Sequence, residues 1–382
     1  MRRIAILGST GSIGQNALRV ISGLGRGLRV VALSAYSDSA CLLRQARRFR
    51  PEYVCLVDES AARKARQGLA SSYKVFSGQS GLEDLIQASN ADTVVMAISG
   101  SKALVPLIKA IKCKKTIILA NKESLVIAGS IIMQLARRHG VSILPVDSEQ
   151  SAIWQCLEGR EKAQIRRVYL TASGGPFRNY NSRQMSRITI KEVLAHPRWR
   201  MGRRITVDSG TLMNKGLEII EAMWLFDLEL DQIEVVIHPE AIIHSMVEFL
   251  DGIILAQLSI TDMRIPIQYA LTYPGRLENK LKPLDFFKLK KLNFHKPDRK
   301  KFPCLGLAIE AAAEGGSLPC VLNAADEVAT EAFLNRRIKF VEIPRIIKRV
   351  IVRHRKIGNP DLETILACDS WARSEAKRII KN

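Results

Sequence analysis

Three acidic residues in two short segments are the strongest candidates for chemistry in this chain. Asp147 and Glu149 directly follow Val141–Val146, an apolar run typical of a buried strand, and Glu218 lies in a segment with helical periodicity. Two carboxylates on a strand-to-helix turn can converge on one hard divalent cation, which prefers oxygen ligands. A third ligand would favour a metal site over a structural role, and Glu218 is a candidate for that ligand.

Each carboxylate also has a simpler structural explanation. Asp147 and Gln150, three residues apart, resemble a helix-capping box. Asn214, Lys215 and Glu218 share one helix face, and Lys215 with Glu218 has the spacing of a solvent-exposed ion pair. Taken alone, either segment fits its structural role at least as well as a metal site.

Polar side chains also follow Thr116–Leu119, which we predict to be a strand. The sequence there is Asn121-Lys122-Glu123-Ser124, and open α/β sheets bind ligands at the carboxyl ends of their strands. Asn121 or Ser124 would serve equally well as the cap of the next helix. The residues alone leave both possibilities open.

Two hydroxyl-bearing segments have the composition of an anion site. Ser173-Gly174-Gly175 follows a strand-like run, and Asp208-Ser209-Gly210 precedes the predicted helix Thr211–Leu225. Hydroxyl groups and exposed backbone amides suit a phosphate monoester, and Lys215 would add positive charge. Ordinary turn chemistry explains either segment taken alone.

The loop from His196 to Gly202 combines a titratable ring with Trp199 and Met201 in an otherwise polar stretch. Because a loop is an unusual place for so much apolar area, we expect a lid that closes over a bound ligand. The alternative is a loop that packs on the core through Trp199.

A glycine-rich turn near the amino terminus indicates nucleotide binding. Gly8–Gly14 (GSTGSIG) follows the strand-like run Ile4–Leu7 and opens a helical pattern, so its amides would face a pyrophosphate. A plain glycine-rich turn is the alternative, but the surrounding strand–helix–strand pattern favours a dinucleotide. After the second predicted strand, Tyr36-Ser37-Asp38 does not decide between NAD and NADP, because Asp38 would either favour NAD or merely cap a helix.

These segments need a scaffold of several domains. Residues 1–146 alternate strand-like runs with helical segments, which predicts a Rossmann-like α/β domain on a parallel sheet. Residues 147–273 mix helices, strands and a hairpin signal at Asp251-Gly252, which predicts an α+β domain with a flap at about 178–204. We expect 274–303 to be a basic linker and 304–382 a helical bundle. The predicted strands of the first domain are Ile4–Leu7, Val30–Leu33, Tyr53–Val57, Thr93–Ile98, Thr116–Leu119 and Val141–Val146.

The composition of the 382 residues excludes several other classes of protein. With 47% hydrophobic and 25% charged residues the chain is globular, and its apolar runs are far shorter than the roughly 18 residues that span a bilayer. Seven scattered cysteines without a C-x-x-C pair argue against disulfides and favour the reducing cytoplasm. The net charge of +21 suits anionic metabolites. We expect no nucleic-acid partner, because the basic stretch 276–301 lies far from the motifs, and no membrane partner, because no apolar run is long enough to span a bilayer.

Eight strings of the sequence, taken in order, resemble one family of enzymes. They are Gly8–Gly14 (GSTGSIG), Ala120–Val126 (ANKESLV), Pro145–Ala152 (PVDSEQSA), Ser173–Phe177 (SGGPF), His196–Arg203 (HPRWRMGR), Val207–Glu221 (VDSGTLMNKGLEIIE), His238–Val247 (HPEAIIHSMV) and Leu322–Val328 (LNAADEV). The resemblance is to the 1-deoxy-D-xylulose 5-phosphate reductoisomerase family and covers essentially the whole chain.

The resemblance implies a homodimer in which each subunit has an NADPH-binding domain, a connective catalytic domain and a carboxyl-terminal helical bundle. It also implies conversion of 1-deoxy-D-xylulose 5-phosphate into 2-C-methyl-D-erythritol 4-phosphate, a step of non-mevalonate isoprenoid synthesis. A divalent cation (Mg²⁺, Mn²⁺ or Co²⁺) would support a retro-aldol cleavage and aldol re-addition, and NADPH would then supply a hydride.

The family pattern implies a role for individual residues of this chain. The implied metal ligands are Asp147, Glu149 and Glu218, and the implied catalytic set adds Lys122 and His196. The implied substrate contacts are Lys122, Ser148, Glu149, Ser173, His196, Trp199, Ser209, Asn214, Lys215 and Glu218. The implied cofactor contacts are Thr10, Gly11, Ser12, Ile13, Ser37, Asn121, Glu123 and Gly202.

One segment departs from the family pattern. Where the family has glycine, then often lysine or arginine, then asparagine, this chain has Tyr36-Ser37-Asp38. The cation expected at the 2′-phosphate of NADPH is therefore missing from this position. We expect NADPH to be preferred over NADH, but less strongly than in a site with that cation, with the basic field of the chain or Arg44 as partial compensation.

Overall fold

A computed structural model describes residues 1–25, 27–195 and 202–381. His196 and Trp199 and most of the expected lid lie outside the described residues. The described chain forms two compact units. The first comprises 1–124, 132–151 and 262–281, and the second comprises 125–131, 152–261 and 282–382. The division into four domains along the chain stays a prediction.

A parallel sheet forms the centre of the first unit. Its strands are β1 (Arg2–Leu7), β2 (Leu28–Ala35), β3 (Tyr53–Leu56), β4 (Lys74–Ser77), β5 (Thr93–Met96), β6 (Thr116–Leu119) and β7 (Ile143–Pro145), in the order β4-β3-β2-β1-β5-β6-β7. The helices up to this point of the chain are α1 (Ser12–Leu24), α2 (Ser39–Phe49), α3 (Glu59–Gly68), α4 (Gly78–Ala88), α5 (Leu104–Lys112), α6 (Lys122–His139) and α7 (Ser148–Cys156). A doubly wound parallel sheet of this kind confirms the predicted Rossmann-like fold.

All six predicted strands are present, and β4 is an additional strand that the sequence pattern did not predict. It has only four residues, it lies at the edge of the sheet, and none of its residues is buried. An inner strand is recognised by a run of buried apolar residues, so an exposed edge strand lacks the signal on which the prediction depends.

The strand order changes direction between β1 and β5, the place where such sheets bind dinucleotides. The turn after β1 approaches the turn after β5 so closely that a Cβ added at Gly8 would lie 2.5 Å from the carbonyl oxygen of Ala97. A Cβ added at Gly14 would lie 2.4 Å from the carbonyl oxygen of Gly8. Two of the three motif glycines are therefore required by close backbone contacts.

The second unit contains a four-stranded mixed sheet and most of the later helices. The strands are β8 (Ile165–Ala172), β9 (Ile233–Ile237), β10 (Ile243–Phe249) and β11 (Ile254–Leu258), in the order β11-β10-β8-β9. The helices that follow α7 are α8 (Ser182–Met185), α9 (Ile190–Leu194), α10 (Arg203–Thr211), α11 (Met213–Phe226), α12 (Arg264–Thr272, in the first unit), α13 (Phe286–Leu289), α14 (Pro303–Glu314), α15 (Leu318–Leu334), α16 (Ile343–Arg353) and α17 (Leu362–Lys381). The antiparallel pairing of β10 with β11 confirms the predicted hairpin, and α14–α17 confirm the predicted helical carboxyl-terminal region.

The predicted helix Thr211–Leu225 is divided from a preceding helix by one residue. Leu212 has φ 59° and ψ 13°, and this left-handed conformation ends α10 and begins α11. Asp208-Ser209-Gly210 therefore lies inside α10, and the prediction of exposed backbone amides there is wrong, because amides inside a helix bond to the preceding turn. Only the side chains of this segment can face a ligand.

Two helices of the second unit pack closely through a glycine. A Cβ added at Gly216 in α11 would lie 2.3 Å from the Cβ of Ala308 in α14. Ala308 is itself fully buried. The helix that carries Asn214, Lys215 and Glu218 is thus held directly against the helical bundle. None of the helices in the described part of the chain has the length and apolar character needed to cross a membrane.

We predict that Gly216→Ala lowers the free energy of unfolding by about 1–3 kcal/mol, because the added methyl group overpacks the contact with Ala308. Gly306→Ala in α14 is the matched control. A Cβ there would have no neighbour within 4 Å, and alanine is favoured over glycine in a helix by about 1 kcal/mol. Urea unfolding of both variants tests the packing, and equal stability of the two would contradict it.

Candidate active site

An ion pair joins residues at the carboxyl ends of two neighbouring strands. Lys122 follows β6, Asp147 follows β7, and the Nζ of Lys122 pairs with Oδ2 of Asp147. The side chains are only 7% and 12% exposed. The other oxygen of Asp147 accepts a hydrogen bond of 3.3 Å from the amide of Glu149, at the start of α7. Asp147 therefore caps a helix with one oxygen and holds a buried lysine with the other.

The second acidic segment is also buried. The ammonium of Lys215 pairs with Oε2 of Glu218, and Asn214 donates to Oε1 of Glu218 at 2.5 Å. The side chains of Lys215 and Glu218 are 3% and 1% exposed. The alternative of a solvent-exposed helix pair is therefore wrong. Burying two charges away from water is costly unless each is paired and hydrogen-bonded, as both are here.

The three predicted metal ligands form one group. An oxygen of each of Asp147, Glu149 and Glu218 lies within 4.8 Å of the other two. Ligand oxygens lie about 2.0–2.6 Å from Mg²⁺ or Ca²⁺, so two ligands of one ion are separated by at most about 5 Å. The group fits one hard divalent cation. The adjacent Ser148 donates its hydroxyl to Oε2 of Glu149 at 2.5 Å, which orients that carboxylate.

The two segments predicted to bind an anion lie against each other. Gly174 and Gly175, after β8, have φ of +79° and +64°. A Cβ added at Gly175 would lie 2.8 Å from the carbonyl oxygen of Ser209 in α10. The amide of Gly175 donates to the hydroxyl of Ser173 at 3.3 Å. The chain thus brings the Ser173 turn onto the helix that carries Ser209.

Helix α10 is anchored by a buried polar cluster that the sequence did not predict. Arg204 donates to Oε1 of Glu327 at 2.7 Å and to Oδ1 of Asn323 at 3.3 Å, and lies 3.7 Å from Oδ2 of Asp326. The family resemblance includes Leu322–Val328 but predicts no role for these residues. The available signal was the spacing of Asn323, Asp326 and Glu327, which places three polar groups on one face of an otherwise apolar helix.

The pKa values of two carboxyl groups in this cluster are shifted in opposite directions. Complete burial, together with the neighbouring charge of Asp208, raises the pKa of Asp326 well above its ordinary value. Burial also acts to raise the pKa of Glu327, but the charges of Arg204 and Arg373 outweigh it and hold that pKa below its ordinary value. Asp208, next to Ser209, also accepts a hydrogen bond from Thr330 at 3.4 Å.

Apart from Gly202, the predicted cofactor residues follow the carboxyl ends of strands in the first unit. Thr10 precedes α1, Gly11 is its N-cap, and Ser12 and Ile13 are its first two residues. Asn121 caps α6 by accepting from the amide of Ser124 at 2.9 Å. The interpretation of Asn121 as a helix cap is therefore confirmed, and its contact with a ligand stays a prediction.

Asn121 and Glu123 also hold the turn after β5. Nδ2 of Asn121 donates to the carbonyl oxygen of Gly100 at 3.1 Å, and the amide of Gly100 donates to Oε1 of Glu123 at 3.2 Å. Asp38 caps α2, because its side chain accepts a hydrogen bond of 2.9 Å from the amide of Cys41. The interpretation of Asp38 as a helix cap is therefore confirmed. Gly202, another predicted cofactor contact, is the N-cap of α10.

Three family models match successive parts of the chain. A 1-deoxy-D-xylulose 5-phosphate reductoisomerase model covers residues 4–129, and a model of the C-terminal domain of the same enzyme covers 143–226. A DXP reductoisomerase C-terminal domain model covers 258–375. The 1-deoxy-D-xylulose 5-phosphate reductoisomerase of Desulforamulus reducens is 50% identical over 100% of both chains, and that of Pelotomaculum thermopropionicum is 47% identical over 100% of this chain and 99% of its own.

Solved structures agree with the sequence relatives. The reductoisomerase of Zymomonas mobilis in complex with NADPH superposes with a TM-score of 0.93 at 40% identity, covering 100% of this chain and 99% of that one. A crystal structure of DOX-P reductoisomerase in complex with NADPH, fosmidomycin and magnesium superposes with a TM-score of 0.94 at 40% identity, covering 100% and 98%.

We predict that stability depends on pH through Asp326. A carboxyl group whose pKa is raised by folding takes up a proton on folding, so its contribution to stability is lost as pH rises above the unfolded pKa of about 3.9. Asp326→Asn cannot ionise. It should therefore gain stability relative to the wild type between about pH 5 and about pH 8.

Urea unfolding at the two pH values measures this difference. Asp231→Asn is the matched control, because Asp231 is exposed, and this variant should follow the wild type at both values. An Asp326→Asn variant whose stability relative to the wild type is the same at both pH values would contradict the raised pKa of Asp326.

Proposed function

The chain belongs to the 1-deoxy-D-xylulose 5-phosphate reductoisomerase family, and on this premise we propose how its own residues carry out the reaction. The substrate is 1-deoxy-D-xylulose 5-phosphate, the product is 2-C-methyl-D-erythritol 4-phosphate, and the reaction uses NADPH and a divalent cation. The observation that carries the proposal is the group of three carboxylate oxygens within 4.8 Å of one another. Incubation with substrate, NADPH and Mg²⁺, followed by identification of the product by NMR, tests the activity.

Asp147, Glu149 and Glu218 would hold the cation, whether Mg²⁺, Mn²⁺ or Co²⁺. When bound, such a cation acts as a Lewis acid toward the carbonyl and hydroxyl oxygens of the substrate. Three carboxylates carry more negative charge than one divalent cation neutralises. Lys122 and Lys215, paired with Asp147 and Glu218, supply two further positive charges within the protein.

The phosphate of the substrate would bind to side chains of two neighbouring segments. Ser173 and Ser209 supply hydroxyl groups from two segments whose backbones meet where Gly175 contacts Ser209. Asn214 and Lys215, from the first turn of α11, would add an amide donor and an ammonium. Since Asp208-Ser209-Gly210 is helical, we assign this role to the Ser209 hydroxyl rather than to backbone amides.

The carbon chain of the substrate would lie against Lys122 and Ser148. It would also lie against His196 and Trp199 of the predicted lid, which are outside the described residues. The rearrangement breaks and re-forms a carbon–carbon bond, so the reacting atoms must be kept in one geometry throughout. A buried lysine at the start of a helix suits that task. Its ammonium is fixed by Asp147 and can donate hydrogen bonds to substrate hydroxyl groups.

NADPH would bind across the carboxyl ends of β1 and β5. Thr10, Gly11, Ser12 and Ile13 present the amino terminus of α1 to the pyrophosphate. Asn121, Glu123 and Gly202 would contact the remainder of the cofactor, and Ser37 its adenosine ribose. NADPH supplies the hydride that reduces the rearranged aldehyde, and the protein supplies orientation.

We also propose that the protein is a cytoplasmic homodimer. All seven cysteines are free thiols, as is usual in a reducing compartment. The edge strand β11 and its turn expose Leu250, Ile253 and Ile254, with exposed fractions of 66%, 57% and 49%. An apolar edge strand left in water is prone to pair with another strand, and a two-fold partner would cover it.

We predict that Glu218→Gln lowers kcat by orders of magnitude and weakens Mn²⁺ binding, because one ligand charge is lost while the side-chain volume is kept. Glu234→Gln is the matched control, since Glu234 is half exposed and paired with Arg167 at 3.0 Å. Glu218→Gln also weakens the ion pair with buried Lys215, so melting curves are measured beside the kinetics to detect any loss of stability. Normal turnover in Glu218→Gln, or in wild type after EDTA treatment, would remove the basis for the metal site.

We predict that Ile254→Lys shifts the protein from twice the chain mass of 42.6 kDa toward a single copy in sedimentation equilibrium. A charge placed in an apolar interface must be desolvated on association, which opposes dimerisation. Val352→Lys, at another exposed apolar position (74% exposed), should leave the mass unchanged. A wild type that sediments as one copy at all concentrations would contradict the homodimer.

A further inference from the structure

The segment that follows β2 has no positive charge to offer a cofactor. Tyr36 is exposed at the end of the strand, and Ser37 is neutral. The carboxylate of Asp38 is occupied in capping α2. The amide of Asp58 donates to the carbonyl oxygen of Tyr36 at 2.8 Å, so a second acidic residue lies nearby. A 2′-phosphate bound here would therefore need a cation from another part of the chain.

Such a cation is already in place. The Nζ of Lys102 lies over the ring of Tyr36, 4.6 Å from its centroid. Lys102 is in a single 3₁₀ turn, Ser101–Ala103, that follows β5. Because β1 lies between β2 and β5, this contact joins residues that follow the strands on either side of β1, after which the glycine-rich turn would bind the cofactor.

The backbone that carries Lys102 is held by hydrogen bonds at two points. Gly100 is bound through its carbonyl oxygen to Asn121 and through its amide to Glu123. The carbonyl oxygen of Lys102 itself accepts from Nε2 of Gln79 at 3.2 Å. The side chain of Lys102, by contrast, is exposed. A fixed backbone that carries an exposed ammonium on a flexible four-carbon side chain is suited to binding an anion.

We propose that Lys102 supplies the positive charge that binds the 2′-phosphate of NADPH, in place of the family's lysine or arginine after β2. The inference rests on the proposed function, because it assumes that NADPH is the cofactor. The ring of Tyr36 holds the ammonium at the ribose end of the cleft. A cation–π contact at an exposed site is weaker than a charge-assisted hydrogen bond to phosphate, so the ammonium can move from the ring to the ligand.

Binding of two adenosine fragments, measured by isothermal titration calorimetry, tests the inference without any turnover. The fragments are 2′,5′-ADP, which carries the 2′-phosphate, and 5′-ADP, which lacks it. A charge-assisted hydrogen bond corresponds to roughly 10- to 150-fold in affinity. Lys102→Gln should therefore weaken 2′,5′-ADP by at least about 10-fold and change 5′-ADP by less than about twofold. Lys102→Arg should retain most of the affinity for 2′,5′-ADP.

Arg44→Ala tests the alternative that the 2′-phosphate is bound by Arg44, which is exposed in α2. It should change neither affinity. Two results would overturn the role of Lys102. One is that Arg44→Ala selectively loses affinity for 2′,5′-ADP, and the other is that Lys102→Gln loses affinity for both fragments equally. If the wild type binds 2′,5′-ADP and Lys102→Gln binds it equally well, this inference alone is refuted. A wild type that does not bind 2′,5′-ADP refutes the proposed NADPH function as well.

Discussion

Buried negative charge is the constraint on which the candidate site depends. Asp147 and Glu218 are nearly inaccessible to water, and each is paired with a lysine that is also nearly inaccessible. Removing one partner of such a pair leaves an uncompensated buried charge, at a cost of about 3–5 kcal/mol. Two of the three carboxylates of the predicted metal group are therefore paired with lysines before any cation arrives. If Asp147 and Glu218 hold a cation, the ammonium groups of Lys122 and Lys215 would also be able to donate hydrogen bonds to an anionic substrate.

Several residues have a structural and a chemical role at once. Asp147 caps α7 and holds Lys122, and Asn121 caps α6 and holds the turn at Gly100. At the level of the sequence these roles appear as competing explanations. A carboxylate or amide has two polar atoms, however, and one can satisfy the helix while the other serves the site. A capping pattern directly after a buried strand is therefore no argument against function.

The sequence predicted most of the fold because buried strands and amphipathic helices leave periodic patterns. It could not predict features without such patterns. The edge strand β4 is not buried, and the break at Leu212 depends on a backbone conformation that leucine rarely adopts. Within the candidate site, the motifs identified the acidic residues. The contacts of Arg204 with α15 and of Lys102 with Tyr36 join residues far apart in the chain, so no local spacing could reveal them.

The glycine at 216 also restricts how this enzyme can change during evolution. It lies between Lys215 and Glu218 along α11 and leaves no room beyond the methyl group of Ala308. A larger side chain at Ala308, in a helix to which no ligand contact is assigned, would displace α11 and with it a carboxylate of the metal group. Substitutions there would need a compensating change in the catalytic helix. Resistance to an inhibitor that copies the substrate could for the same reason arise in the helical bundle, although only with some loss of turnover.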